Sequence, residues 1–439
     1  MSAQTRPCIG CALRALLATA ILSASMLASP KGGLADPQLP GEVLVQLRST
    51  ATLGPLLTKY QLSVVSQFGT RPIFRLMLIG DTDVGAKIDA LLTEFNVLEA
   101  EPNAIHQSPE ARKISAWTIG TPTAYTTQWA PQALRLPEAQ LLSTGAGVRV
   151  AILDTGVDKL HPALAGKLMP GFDFVDFDSD PSEVGDPVAN ISFGHGTHVA
   201  GLVAMVAPNA KIMPLRVLDA DGAGNAWVLA DAILYAIDPD GNPATDDGAH
   251  VINMSLGSFS RTHILDTVGK LATCDIAAVI IDPLDPFADP GYNGDRLRCS
   301  GSNGAVIVAA AGNDGSRDVR EYPAAEGVYG LIAVTASTVN KQLANFSNFG
   351  SWVHIAAPGE GITSAVPGGG YGTWSGTSMA APLTAGTVAL VRAANPELSA
   401  KDVARRIIRA SANLCGTKLR EVDAAAALQD IQPPPASCP

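Results

Sequence analysis

The strongest constraint on the fold is a series of short apolar runs, separated by glycine-rich turns, that starts after Thr144. Successive residues are apolar on both sides of the extended chain, which is typical of parallel strands that helices cover on each face. The runs cover residues 148–153, 211–218, 250–256, 305–311 and 331–335, and helical patterns cover 196–206, 227–237, 377–394 and 400–411. Of the 439 residues, 47% are hydrophobic and 16% charged, so the chain can bury a large core. We therefore predict a doubly wound α/β domain with a mainly parallel sheet.

A smaller unit precedes this domain. Strand patterns at 41–47, 71–78 and 97–103 alternate with two amphipathic helical patterns, and this arrangement is typical of a ferredoxin-like α+β unit. A polar link then runs from about residue 107 to residue 127. The expected division is a small unit at 36–113, a large domain at 114–430 and a proline-rich tail at 431–439.

The first 35 residues have the character of a secretory signal peptide. Arg6 and Arg14 lie before or within a short apolar stretch, and no acidic residue occurs before Asp36. Small residues near Ala28 or Ala35 suit cleavage. A membrane anchor is the alternative, but serines interrupt the apolar stretch, which is also short for a span. We therefore expect a secreted protein, extracellular or periplasmic, without stable membrane insertion.

Cysteine usage agrees with export. Two of the six cysteines lie in the expected leader, and the other four form sequence-local pairs, Cys274 with Cys299 and Cys415 with Cys438. We predict these two disulfides, although four cysteines permit three pairings and free buried thiols are an alternative. None of the four has a histidine at metal-ligand spacing, so no zinc site is expected.

Three polar residues occur in an order that favours nucleophilic catalysis. Asp154 ends an apolar run, where ligand sites gather at the carboxyl edge of a parallel sheet. His195 lies between two glycines, and Ser378 begins a helical pattern whose early Pro382 is tolerated in a first turn. Each has an ordinary structural explanation, as a turn residue, a polar contact or an N-cap. Together they follow the acid, base and nucleophile order of one group of triad hydrolases.

The segments around these residues resemble the motifs of the subtilisin family of serine proteases. The resemblance implies that Asp154 orients the imidazole, that His195 is general base and then general acid, and that Ser378 forms the acyl-enzyme. It also implies that Asn313 donates its side-chain amide to the oxyanion, beside the backbone amide of Ser378.

The resemblance also implies where the primary specificity pocket lies. Its walls are expected to be Ser255, Leu256 and Gly257 on one side and Ala310 to Gly312 on the other. Asp314 and Glu321 depart from the family pattern at the pocket rim and floor, and two carboxylates there would favour Lys or Arg before the scissile bond. Ordinary surface acids are the alternative. The pair Arg112-Lys113 lies where a maturation cut is expected, which fits this preference.

The small unit gains a role from the same resemblance. Residues 101–103 are similar to the end of the family's propeptides, so we expect this unit to act as a folding chaperone and as the chain's own inhibitor. A permanent accessory domain is the alternative. Many family members carry a calcium-binding loop after the histidine helix, but residues 201–208 run directly into the next strand. We therefore expect no cofactor, and structural calcium at other sites stays open.

The resemblance implies a self-processing, monomeric serine endopeptidase that acts on proteins or peptides. A net charge of -11 argues against nucleic-acid binding. An esterase or lipase is disfavoured because Ala380 replaces the glycine of their serine motif and because both partners precede the serine. The remaining alternative is a catalytically inactive binding protein with the same fold.

Overall fold

The computed structural model describes residues 37–113, 115–275, 298–433 and 438. The expected signal peptide at 1–35 lies outside these residues, and so does most of the loop between Cys274 and Cys299. Among the helices of the described residues, none is long and apolar enough to cross a membrane. Cys274 is bonded to Cys299 and Cys415 to Cys438, which are the pairs predicted from the sequence.

The small unit is an antiparallel sheet with two helices on one face. Its elements are β1 (Gln38–Leu47), α1 (Leu53–Tyr60), β2 (Leu62–Gln67), β3 (Ile73–Leu78), α2 (Val84–Leu91) and β4 (Val97–Gln107), with a 3-10 turn at Thr50–Thr52. The strand order β2-β3-β1-β4 is that of a ferredoxin-like unit. Sequence analysis missed β2 because most of its side chains are exposed, so it shows no apolar face.

The two faces of the small sheet pack against different partners. Val43 and Val45 lie in a core with α1 and α2. Leu44 and Ile73 project from the opposite face and join an apolar core of the large domain. Because side chains alternate along a strand, a single run of apolar residues in β1 supplies both cores.

The large domain contains the remaining elements. Those as far as residue 237 are β5 (Thr118–Ile119), α4 (Pro122–Thr127), α5 (Ala130–Ala133), α6 (Leu136–Leu142), β6 (Arg149–Asp154), a 3-10 turn (Pro162–Leu164), β7 (Phe172–Asp173), α7 (His195–Val206), β8 (Lys211–Arg216), β9 (Ala223–Asn225) and α8 (Ala226–Ile237). Those after it are β10 (Val251–Met254), α9 (His263–Ala272), β11 (Val306–Ala310), β12 (Leu331–Ser337), β13 (Ile355–Pro358), β14 (Ile362–Val366), β15 (Gly370–Trp374), α10 (Thr377–Ala394), α11 (Ala400–Arg409), β16 (Ser411–Asn413), β17 (Arg420–Val422) and α12 (Ala424–Gln429). A short helix, α3 (Pro109–Arg112), joins the two units and is called the linker helix below.

The central sheet confirms the predicted doubly wound architecture. Its order is β16-β17-β13-β12-β11-β10-β6-β8-β7, and every pairing except that of β16 with β17 is parallel. In β6, Val150 and Ile152 face a core that includes α7 and α10, whereas Ala151 and Leu153 face a core that includes α8 and α9. Both faces of the strand are therefore buried, as its apolar run predicts.

The topology brings three helix or strand ends to one crevice. From β6 the chain passes through α7 to β8 on one side, and the later strand β10 pairs on the other side of β6. Such a switch in direction opens a crevice at the carboxyl ends of the strands. Asp154 ends β6, and the N-termini of α7 and α10 carry His195 and Ser378.

Candidate active site

Asp154 and His195 form a buried pair. Asp154 Oδ1 lies 2.6 Å from His195 Nδ1 and accepts a hydrogen bond from the amide of Thr155 at 2.8 Å. Both side chains are almost fully excluded from solvent. Gly194, with φ +91°, precedes the helix, and a Cβ there would lie 2.8 Å from a carbon of Pro367. Glycine is therefore favoured at this left-handed position, which packs closely against Pro367 directly before His195.

Ser378 lies in the first turn of α10 and is fully buried. Its hydroxyl points into the crevice that holds His195. Its backbone is fixed by Ser255, whose Oγ donates to the Ser378 carbonyl at 3.0 Å. The structure thus places the three residues that the sequence analysis proposed as a triad around one crevice, with Ser378 at the N-terminus of its helix.

Asn313 is held so that its amide nitrogen faces the same crevice. Its Oδ1 accepts hydrogen bonds from the Thr377 amide at 2.9 Å and from Thr377 Oγ1 at 3.0 Å. The oxygen is therefore committed to Thr377, and Nδ2 remains as a donor toward the space next to Ser378. This orientation is the one that an oxyanion donor requires.

The carboxylate of Glu110, from the linker helix, fills that space, and the sequence analysis did not predict it. Glu110 Oε2 accepts a hydrogen bond from Ser378 Oγ at 2.6 Å and lies 3.1 Å from His195 Nε2. Glu110 Oε1 accepts a hydrogen bond from Asn313 Nδ2 at 2.7 Å. A Cβ on Gly376 would lie 1.8 Å from Oε1, so glycine is required there for the carboxylate to fit.

The charges in the crevice follow from this arrangement. Burial opposes protonation of His195, but the Asp154 and Glu110 carboxylates outweigh it and raise the pKa of His195 to about 10. Burial alone would raise the pKa of Glu110, but its bonds to His195, Ser378 and Asn313 lower the pKa overall. The chain therefore holds an imidazolium between two carboxylates.

Glu321 lies between the two proposed walls of the specificity pocket. A Cβ on Gly257 would come within 2.6 Å of Glu321 Oε2, and one on Gly312 within 2.0 Å of Oε1. The wall residues Leu256 and Ala310 are also fully buried. Burial raises the pKa of Glu321 to about 7, although the nearby guanidinium of Arg112 opposes the rise.

Two basic residues, at the end of the linker helix and directly after it, form ion pairs with the carboxylates of the proposed pocket. Arg112 forms an ion pair with Glu321, and its Nη1 also donates to the Gly257 carbonyl at 3.3 Å. Lys113 Nζ lies 2.8 Å from Asp314 at the rim. The pKa of Asp314 is lowered, since the bonds to Lys113 and to the Asn348 amide outweigh burial, which acts in the opposite direction.

The backbone just before the linker helix forms a β-bridge with the proposed pocket wall. Gln107 and Gly257 exchange two backbone hydrogen bonds of 2.9 Å, as residues of adjacent antiparallel strands do. The predicted polar link begins at Gln107, but the structure places Gln107 in β4 and turns the chain into the linker helix only after Ser108.

Comparison with known proteins decides the family. The model of the Subtilase family matches residues 145–428, which hold all the candidate catalytic residues of the large domain. This chain belongs to the subtilase family. The subtilase is accordingly a subtilisin-like serine endopeptidase, which confirms the enzyme class predicted from the sequence.

Several relatives resemble the subtilase over most of its length. The "Thermophilic serine proteinase" of Bacillus sp. (strain AK1) is 35% identical over 329 residues, which cover 72% of this chain and 68% of that protein. Thermitase of Thermoactinomyces vulgaris is 35% identical over 311 residues, 69% of this chain and 94% of thermitase. A solved protease of Pseudoalteromonas arctica PAMC 21717 is 32% identical with a TM-score of 0.56, covering 71% of this chain and 99% of that one.

One solved structure extends over the small unit as well. Fervidolysin from Fervidobacterium pennivorans has a TM-score of 0.68, and the match covers 91% of this subtilase. At 24% identity it shows a shared fold alone, and the subtilase spans 62% of the fervidolysin chain.

A second carboxylate, Glu183, lies partly buried near the Asp154–His195 pair and was also missed by the sequence analysis. It accepts hydrogen bonds from Thr155 Oγ1 at 2.5 Å, from Thr197 Oγ1 at 2.6 Å and from the Gly194 amide at 3.1 Å. Burial raises its pKa to about 7 against these bonds, and the charge of Asp154 adds to the rise. Glu183 thus joins the strand end that carries Asp154 to the helix start that carries His195.

A four-residue connection joins α7 to β8. Residues 207–210 lead from α7 to β8 and include no carboxylate, so this connection does not suit a calcium ion. Elsewhere in the described part of the chain, carboxylate oxygens of Asp238, Asp240 and Asp247 lie within 4.8 Å of one another. Such acidic turns are common on protein surfaces, and we assign no metal site to them.

Proposed function

We propose that this subtilase cleaves proteins through a triad of Asp154, His195 and Ser378, with Asn313 as an oxyanion donor. The observation that carries the proposal is the position of the Glu110 carboxylate, which contacts His195 Nε2, Ser378 Oγ and Asn313 Nδ2 at once. Its Oε1 stands where the oxyanion of a tetrahedral intermediate would lie. Its Oε2 lies between Ser378 Oγ and His195 Nε2, the two groups that pass a proton directly in the proposed reaction.

Each group has a step in the proposed reaction. With the crevice open, His195 Nε2 removes the proton of Ser378 Oγ as this oxygen attacks the peptide carbonyl, and His195 then gives the proton to the leaving amine. Asp154 holds the proton on Nδ1, so Nε2 is available as the base. Water repeats the sequence to release the acyl group. The reaction needs no cofactor, because the nucleophile, base and oxyanion donors are side chains and amides of this chain.

We also propose that the enzyme prefers Lys or Arg before the scissile bond. The support is Arg112, whose guanidinium pairs with Glu321 between the pocket walls. A buried carboxylate is costly without a partner, and a substrate cation would supply one. The backbone pairing of Gln107 with Gly257 supports the proposal that an extended substrate aligns with the pocket wall.

The part of the small unit at 36–113 that precedes the cut is proposed to be a propeptide that assists folding and inhibits the enzyme until it is cut. Its sheet shares an apolar core with α8 and α9 through Leu44 and Ile73. Glu101 accepts hydrogen bonds from the backbone amides of His263 at 2.5 Å and Ile264 at 2.9 Å, at the start of α9. A carboxylate is favourable at a helix N-terminus, so this contact orients the unit.

We further propose that the protein is exported by a signal peptide at 1–35, acts as a secreted monomer, and cuts its own chain after Arg112. The support for export is the charge and hydropathy pattern of the first 35 residues together with the two disulfides.

The test is to secrete the wild-type chain and the Ser378→Ala and Ser375→Ala variants, and to determine the N-terminus of each product. We expect wild type and Ser375→Ala to begin at Lys113 and Ser378→Ala to keep the small unit. A Ser378→Ala chain shortened at the same bond would show that another protease makes the cut. A folded wild-type product that hydrolyses no peptide would favour the inactive binding protein.

A further inference from the structure

The linker helix does not present a peptide bond to the catalytic serine. Within it, the amides of Ala111 and Lys113 donate to the carbonyls of Ser108 and Glu110 at 3.1 and 3.2 Å, and Ser108 Oγ caps its start. These bonds keep the segment coiled where a substrate would be extended. The group at Asn313 Nδ2 is a side-chain carboxylate, which has no bond that the enzyme can hydrolyse.

We propose that the Glu110 side chain is an intramolecular ligand of the active site, which keeps the uncut precursor inactive until the linker helix unwinds. The inference rests on the proposed function, since it assigns Ser378 and His195 the roles of nucleophile and base. The site thereby binds a carboxylate as its inhibitory ligand, contributed by residue 110 of the same chain.

The contacts explain how this ligand inhibits. Ser378 Oγ is within donor distance of Glu110 Oε2 at 2.6 Å and of the Ser255 carbonyl at 3.3 Å, so its hydrogen bonds go to these acceptors rather than to His195. Two carboxylates keep His195 protonated, and an imidazolium cannot act as a base. Asn313 Nδ2 already donates a hydrogen bond to Glu110 Oε1, so this proposed oxyanion donor is occupied. A single side chain therefore disables the nucleophile, the base and the oxyanion donor together.

The neighbouring residues hold the ligand in place. Gln107 pairs with Gly257 before it, and Arg112 and Lys113 pair with Glu321 and Asp314 after it. Cleavage after Arg112 requires the linker helix to unwind and Glu110 to leave, while Arg112 can stay in its pocket. Unwinding of the linker helix is then the slow step that separates a folded precursor from its first cut.

The experiment measures how fast Ser378 reacts in the uncut chain. Wild type, Glu110→Ala, Glu110→Gln and the surface control Glu397→Gln are treated with a fluorescent fluorophosphonate, and precursor and mature bands are separated at early times. We expect the precursor band of both Glu110 variants to label at least tenfold faster than wild type, and their first cut to be faster. The control, whose side chain is exposed, should match wild type.

The outcomes separate the two proposals. Equal labelling rates for wild-type and Glu110→Gln precursors, with mature bands that do label, would overturn the ligand role while leaving the triad intact. Mature wild type that never labels would refute the proposed function and with it the ligand. If Glu110→Ala shows no cooperative thermal transition, Glu110→Gln decides, because it keeps the side-chain volume, removes the charge and replaces one acceptor oxygen by an NH2 donor.

Discussion

The pocket hypothesis can be tested by Glu321→Gln, which keeps the size of the side chain and removes its charge. In the structure this buried carboxylate pairs with the guanidinium of Arg112, the stand-in for a basic substrate residue. Hydrogen bonds to charged groups contribute about 1.5–3 kcal/mol. At about 1.36 kcal/mol per factor of ten, the variant should lose about 10- to 150-fold in kcat/KM for an Arg peptide relative to a Met peptide.

The assay compares two peptides that differ only before the scissile bond, Arg in one and Met in the other. Enzyme concentration is set by titration with a fluorophosphonate, so differences in maturation yield do not enter the ratio. The matched control is Asp314→Asn at the half-buried rim, where a screened pair should contribute about 0–1 kcal/mol, or less than about fivefold. An unchanged Arg-to-Met ratio in Glu321→Gln, or a larger effect from Asp314→Asn, would refute the reasoning.

Three further predictions follow from the site and the disulfides. Because burial raises the pKa of Glu321 to about 7, its charge appears as pH rises, and the Arg-to-Met ratio should increase from about pH 6 to 8; a flat ratio contradicts this. Asn313→Ala should lower kcat by about 10²–10³-fold with KM little changed, and a loss under tenfold would exclude it as an oxyanion donor. Replacing Cys415 and Cys438 by Ala, in the Ser378→Ala precursor, should lower the free energy of unfolding in urea by about 3 kcal/mol, given the 23-residue separation, and no measurable loss would contradict this.

The parallel sheet was predictable from sequence because burial on both faces leaves a direct mark on composition. Runs such as the one that ends at Asp154 show no polar alternation, so they indicate covered strands. The carboxyl ends of parallel strands share one edge of the sheet. His195 and Ser378, which lie 41 and 224 positions after Asp154 in the chain, can therefore meet Asp154 at that edge.

Glu110 and Glu183 could not be found in this way. Both lie in polar loop sequence, where a glutamate is ordinarily solvated. The Ser108-Pro109-Glu110 pattern indicates a helix start. The neighbouring sequence does not indicate that the Glu110 carboxylate contacts His195 and Ser378, which lie 85 and 268 positions away. Their roles depend on how the small unit and the loops dock, which is set by the tertiary structure. Similarly, β2 exposes most of its side chains and gave no signal.

The most direct test of the central claim is to map where a fluorophosphonate attaches, and how fast, in wild type and in His195→Ala, after an added protease has removed the small unit from both proteins. We predict a single adduct on Ser378 in wild type, and labelling of His195→Ala that is slower by at least about 10²-fold, because the hydroxyl then lacks its base. An adduct on a different residue, or equal rates in the two proteins, would contradict the account.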